Sequence, residues 1–315
     1  MPPIFATEPD SVPGQTAPTT ERLFDSHAHL VSNDRIQYPL IEPDPAAPPP
    51  PPVDYRQFGT GTPTPDAMSM IRWMDEQHVQ AMAAIQKRGT YGTDNRYILD
   101  SARADPSRFF PVIILDPLDR SAHTTLRDLV ATRALSGLRL TGVAAPDGTF
   151  PWLESDAAHA MWALAESARL PIEIMVMPFG RPKEALAAFA RLSERFPHVP
   201  LVIDHLNWPP VAGAPDFGLG PDLLALSRHP NVFYKFTTIN MDRLQDREIS
   251  PAAFLRHAVD SIGADHIMWG SDMGNTPGTY AQMVGRAVDA ARLLGPLERR
   301  AVLYDTGYDI FATRR

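Results

Sequence analysis

The sequence predicts an α/β protein of the (β/α)8 type, a TIM barrel around one hydrophobic core. Three observations predict it. Eight short apolar runs alternate with eight stretches of helical spacing between Leu23 and Leu294. The runs are nearly continuous in apolar residues, as parallel strands buried on both faces require. No glycine-rich dinucleotide turn follows the first run, which disfavours a doubly wound open sheet. A chain of 315 residues with 44% hydrophobic content has the length for one barrel with insertions.

Residues 1–20, rich in Pro, Thr and Ser without a period, are expected to form an extended arm before a single domain over 21–315. The first run, Leu23–Ala28, is followed by a Pro-rich insertion, Pro43–Pro65, containing Pro48–Pro52. Each proline ring fixes φ and removes a backbone donor, so this segment favours polyproline II over a helix or central strand. Helical spacing starts in Asp66–His78. Val79–Gln86 is the second strand, and Thr93 with Asp94 is placed to cap the helix Asp94–Ala104. Phe109–Asp116 then pairs with Ser121–Ala134, Gly137–Thr141 with Asp156–Ala168, Pro171–Met177 with Lys183–Phe196, and Leu201–His205 with Pro221–Arg228. Val232–Thr237 precedes Pro251–Ile262, where Pro251 takes an early helical position behind Ser250 as N-cap. His266–Gly270 and Thr279–Leu294 complete the set.

Composition narrows the function. Net charge is −8, from 37 acids against 29 bases, and no long basic run occurs, so nucleic acid is not an expected partner. The chain has no cysteine, which excludes thiolate catalysis and thiolate metal sites. No apolar run approaches the roughly 18 residues of a membrane span, and the N-terminus lacks the basic and apolar regions of a secretory signal. The expectation is a cytoplasmic protein with a small-molecule substrate, and association into a homo-oligomer stays open. G-x-S-x-G, H-E-x-x-H and Walker patterns are absent.

In such a barrel, chemistry sits at the C-terminal ends of the strands. The first strand ends in Asp25-Ser26-His27-Ala28-His29. Side chains alternate along a strand, so both imidazoles face the barrel mouth and converge on one ion, water or substrate oxygen. Asp25 shares their parity one layer deeper and is expected to orient a histidine. The sixth strand ends in His205, which alone reads equally well as a core histidine. The eighth ends in Gly270-Ser271-Asp272, where glycine lets the backbone turn and the carboxylate sits at the mouth or caps the next helix.

Together, a strand-one His-x-His, a strand-six His and a strand-eight Asp resemble the amidohydrolase superfamily over roughly residues 22–312. The segments LFDSHAHL (Leu23–Leu30), GTDNRYILD (Gly92–Asp100), GLRL (Gly137–Leu140), VIDHL (Val202–Leu206) and MWGSD (Met268–Asp272) carry the resemblance. GTDN with the preceding Gln86 is similar to the branch holding 2-pyrone-4,6-dicarboxylate lactonase and the sugar-lactone and sulfomuconolactone hydrolases. That resemblance implies Asp272 as the base that activates water. It implies that His27, His29 and His205 polarise the carbonyl or hold a metal.

The sequence departs from metal-dependent members late in strands four and five, which offer Arg139-Leu140-Thr141 and Glu173-Ile174-Met175-Val176-Met177 instead of Lys or His. Glu173 lies early in its strand and is expected to be too deep. A two-metal site is therefore not expected. Two readings stay open: one zinc-like divalent ion on His27, His29 and Asp272, with His205 as a further ligand, or metal-free catalysis. Arg139, Lys87, Tyr91, Asn95 and Lys235 are expected to bind a small anionic or sugar-acid-like substrate, with Trp208 walling the pocket. Hydrolysis of a lactone is the leading expectation. The alternative is a metal-dependent non-oxidative decarboxylase of the same superfamily, against which Met175 and Met177 stand where a histidine would be needed. The Pro-rich insertion is expected to cover the mouth or reach a neighbouring subunit.

Overall fold

A computed structural model describes residues 21–41 and 64–313. The expected arm, and the insertion between residues 42 and 63, lie outside the described residues. Eight parallel strands form one sheet in sequential order: β1 (Leu23–His29), β2 (Val79–Ile85), β3 (Phe109–Ile114), β4 (Gly137–Gly142), β5 (Ile172–Val176), β6 (Leu201–Ile203), β7 (Val232–Thr237) and β8 (Ile267–Gly270). The sheet closes on itself. Asp272 N donates to His27 O at 2.7 Å and His29 N to Met273 O at 2.8 Å, with a parallel bridge between Ala28 and Met273. The eight expected runs are the eight strands, and the fold is a (β/α)8 barrel.

Each expected helical stretch contains a helix, because its apolar stripe must be buried against the sheet. Ser250 caps Pro251–Ile262 as expected, accepting from Ala253 N. Thr93 and Asp94 do not cap their helix: it begins at Arg96 with Asn95 at the N-cap position and no side-chain cap bond. A C-terminal segment, Pro296–Phe311, was not among the expected elements. It packs Tyr304, Ile310 and Phe311 against Phe24, Phe110, Val112, Val202 and Met268, plugging the end of the barrel remote from the strand C-termini. No helix among the described residues is long and apolar enough to cross a membrane.

Candidate functional site

β1 delivers the first two imidazoles. His27 and His29 are buried, with ring centroids 5.0 Å apart at 87°. β8 delivers Asp272, also buried, just past Gly270 and with φ of 55°. Asp272 Oδ1 lies 3.5 Å from His27 Nε2 and 3.4 Å from His29 Nε2. β6 ends two residues earlier than expected, at Ile203. His205, Leu206, Asn207 and Trp208 all follow in the left-handed region, with φ between 52° and 55°. Four consecutive non-glycine residues there are strained backbone, held by their surroundings. The turn sets the His205 ring 5.2 Å from the His27 ring and 4.6 Å from Trp208. Trp208, anchored by its indole N–H on Val176 O at 2.8 Å, lies beside His205.

The surroundings fix each group. His29 Nδ1 donates to Ile85 O at 2.9 Å, because a carbonyl only accepts, so a neutral His29 carries a bare Nε2 toward Asp272. Thr237 spends its hydroxyl proton on Asn240 Oδ1 at 3.0 Å, so its oxygen accepts from His205 Nδ1 at 2.7 Å. His205 Nε2 is then bare too. Asp272 Oδ2 accepts from Thr276 Oγ1 at 2.6 Å and Asn275 Nδ2 at 3.2 Å, leaving Oδ1 as the working oxygen. Burial pushes the Asp272 carboxyl up, but its attraction to the surrounding imidazoles, His29 foremost, outweighs burial and holds the group far below the usual carboxylate range. Burial lowers His29 to about 4, against the pull of Asp272, and lowers His27 and His205 as well. The histidines are therefore neutral around an ionised carboxylate.

Several expected substrate contacts are turned elsewhere. Arg139 faces the interior, not the mouth. Its guanidinium donates through Nε and Nη2 to Asp204 Oδ2 at 2.9 and 2.6 Å and pairs with Glu173 Oε1 at 3.0 Å. Lys235 is fully buried, bonded to Glu173 and to His27 Nδ1 at 3.1 Å, and stacked 4.9 Å over the Phe311 ring. Asn95 spends its amide on Ile114 N, Ile114 O and Thr93 O, clamping the end of β3. Tyr91 is buried and its hydroxyl accepts from Ser32 N at 2.8 Å, bracing the loop after β1. Asp25 does not orient an imidazole. Its carboxylate accepts from Ser271 N, His27 N and Tyr280 OH, tying β1 to β8.

Lys87 does stay at the site: it is buried, bonded to Asn275 Oδ1, and lowered by burial to about 7 despite Asp272 nearby. Asn275, Thr276, Thr237, Asn240 and Asp204 had not been singled out. Only Thr237 and Asn240, spaced as a capping box, left a signal in the sequence.

His27 Nε2 and Asp272 Oδ1 are buried with no hydrogen-bond partner among the described residues. One ligand atom each from His27, His205 and Asp272 lies within 4.8 Å of the others. A tetrahedral zinc with bonds of about 2.1 Å sets its ligand atoms about 3.4 Å apart. The Oδ1–Nε2 separations of 3.5 and 3.4 Å match that edge. The residues that fit one divalent ion are therefore His27 and Asp272, with His205 and His29 as the further imidazoles around them. A second group, His27, Glu173 and Asp204, does not fit, because Lys235 and Arg139 already supply the cations there.

Residues 24–312 match the pattern of the amidohydrolase family. The chain belongs to the amidohydrolase family. Among its relatives in this family, L-fucono-1,5-lactonase of Burkholderia ambifaria is 26% identical over 223 residues, 69% of this chain and 70% of that protein. A probable 2-pyrone-4,6-dicarboxylic acid hydrolase from Acinetobacter baumannii, with citric acid bound, shares the fold: TM-score 0.66, 18% identity, 92% of this chain and 98% of that one. So does a dihydroxybenzoic acid decarboxylase from Polaromonas sp. JS666 with bound manganese, at TM-score 0.63, 13% identity, 94% of this amidohydrolase and 97% of that chain.

Proposed function

We propose that this amidohydrolase opens a lactone, a cyclic ester of a small anionic or sugar-acid-like compound, in the cytoplasm. The observation that carries the reading is the ionised Asp272, with one oxygen tied down by Thr276 and Asn275 and the other open toward three neutral imidazoles. That is the arrangement for a base beside an electrophilic carbonyl. A water between Oδ1 and the carbonyl carbon loses its proton to Oδ1 as its oxygen attacks. Negative charge develops on the carbonyl oxygen beside the imidazole cluster, where a ring N–H or a held cation would offset it. The ring carbon–oxygen bond then breaks and the leaving oxygen takes the proton from Asp272 Oδ1, which restores the base. A divalent ion, when held by His27, His205 and Asp272, would supply Lewis-acid polarisation of that carbonyl. Lys87 is the cation that remains at the mouth to attract an anionic substrate, since Arg139 and Lys235 are committed to Glu173 and Asp204. The similarity to an L-fucono-1,5-lactonase supports the substrate class.

The test is a panel of sugar and dicarboxylate lactones scored by acid release, with Asp272→Asn beside the wild type. The expected result is turnover that falls by roughly 10²–10⁴-fold in the variant at unchanged folding. No hydrolysis of any lactone by the wild type, or near-wild-type turnover by the variant, overturns the reading.

A further inference from the structure

Beneath the site, four charged side chains from four adjacent strands meet inside the barrel: Arg139 on β4, Glu173 on β5, Asp204 after β6 and Lys235 on β7. All are buried. This cluster meets the site at His27 Nδ1. Three groups surround that nitrogen: Lys235 Nζ at 3.1 Å, Asp204 Oδ1 at 3.3 Å and Glu173 Oε1 at 3.4 Å. The carboxylates would place the proton on Nδ1, and the ammonium would place it on Nε2. The geometry separates the two outcomes. The Lys235 contact is a hydrogen bond, whereas Asp204 Oδ1 and Glu173 Oε1 have no hydrogen-bond partner among the described residues. An ammonium has only protons to give, so Nδ1 accepts and the imidazole proton sits on Nε2.

We infer that Lys235 is a positioning residue that makes His27 the one proton donor among the three site histidines. His29 and His205 donate through Nδ1 to Ile85 O and Thr237 Oγ1 and present bare Nε2 atoms. His27 alone presents Nε2–H, aimed into the site beside Asp272 Oδ1. The consequence concerns both occupants of the site. Nε2–H can donate to a developing oxyanion, and it cannot ligate a cation until its proton moves. Lys235 thereby opposes metal ligation by His27 and favours hydrogen-bond polarisation of the carbonyl. The oxyanion part rests on the lactonase reading; the tautomer and its effect on metal do not.

The test uses the whole protein with 15N-labelled histidine, purified with chelator, and needs no substrate. Long-range 1H–15N correlation distinguishes a protonated ring nitrogen from a bare one, and His27→Gln assigns the resonances by their disappearance. The expected result is His27 protonated on Nε2, with His29 and His205 protonated on Nδ1. Lys235→Met alone strands Glu173 and Asp204 against Arg139 and risks misfolding, so it is paired with Glu173→Gln. In that double variant the His27 proton should move to Nδ1, toward Asp204. Zinc affinity measured by calorimetry should rise tenfold or more. Lys235→Arg, which keeps a donor, should retain the Nε2 proton. A wild-type His27 protonated on Nδ1, or a double variant whose tautomer and zinc affinity match the wild type, overturns the inference. A lactone panel without turnover would refute the proposed reaction and leave this result standing.

Discussion

The closest backbone approach under the site is at Gly270, and it gives a sharp test of how β1 and β8 hold His27 to Asp272. A Cβ added at Gly270 would lie 2.4 Å from His27 Cβ, 2.9 Å from His27 N and 3.1 Å from His27 Cα. Carbon–carbon contacts are comfortable at about 3.5–4.0 Å, so Gly270→Ala requires β1 and β8 to part by on the order of 1 Å. Nothing flexible can yield, because the atoms struck are backbone or the first side-chain atom. The movement pulls on the bonds that close the barrel, Asp272 N to His27 O and His29 N to Met273 O. Overpacking of this kind costs about 1–3 kcal/mol. A displacement of that size at the reacting groups costs about 10²-fold in turnover. Urea denaturation and kcat/KM on whichever lactone is turned over measure the two effects. Gly285→Ala is the control, since a Cβ there meets nothing within 4 Å. A Gly270→Ala protein with wild-type midpoint and wild-type kcat/KM would refute the reasoning.

Other expectations follow from the same contacts. Asn95→Ala should destabilise the barrel by about 2–3 kcal/mol in urea, because it orphans Ile114 N and O, with KM unchanged; a raised KM at unchanged stability would return Asn95 to the substrate. Arg139→Met should cost about 3–5 kcal/mol by leaving Asp204 and Glu173 buried without their guanidinium, and should not discriminate between anionic and neutral lactones in KM. His29, lowered in the folded state from 6.5 to about 4, binds fewer protons folded than unfolded in that range. Its contribution is therefore present above about pH 6.5 and lost as pH falls through 4, worth roughly 3 kcal/mol. On going from pH 7 to pH 4, the wild type should lose about that much more stability than His29→Gln; parallel pH profiles in urea would contradict the shift.

The strands, and the gathering of His27, His29, His205 and Asp272 in one place, were legible because both signals are local. Continuous apolar runs mark buried parallel strands, and a polar residue at the end of such a run marks the barrel mouth. What failed was inference from parity alone. Parity placed Asp25, His27 and His29 on one face, but the β1–β2 register shifts between Asp25 and Ala28, and the irregularity turns Asp25 to Ser271 and Tyr280 instead of an imidazole. The sixth strand was read through to His205, yet the chain leaves it at Ile203 through a left-handed turn of four side-chain-bearing residues, for which no composition signal exists. Gly270 ends its strand as expected, but glycine is required there by the nearness of His27 and not by a turn alone. The GTDN segment and Gln86 proved to be a fold staple: Asn95 clamps Ile114 and Gln86 Nε2 donates to Asp94 O at 2.7 Å.

The misreading of Arg139 and Lys235 points to a rule about charge that the sequence did contain. A lone cation in a strand that is otherwise apolar is costly wherever the strand is buried on both faces, and the cost is met by an opposite charge on a neighbouring strand at the same layer. Arg139 and Glu173 are direct register partners on β4 and β5. Asp204 stands next along the sheet, after β6, and Lys235 follows on β7. Two basic and two acidic side chains from four consecutive strand segments meet there, each paired with a neighbour inside a sealed interior. Lys87 is placed differently: it lies beyond the end of β2, bonded to Asn275 and with Asp272 nearby. Charge pairing across adjacent strands therefore marks Arg139 and Lys235 as cations that build the floor of this barrel.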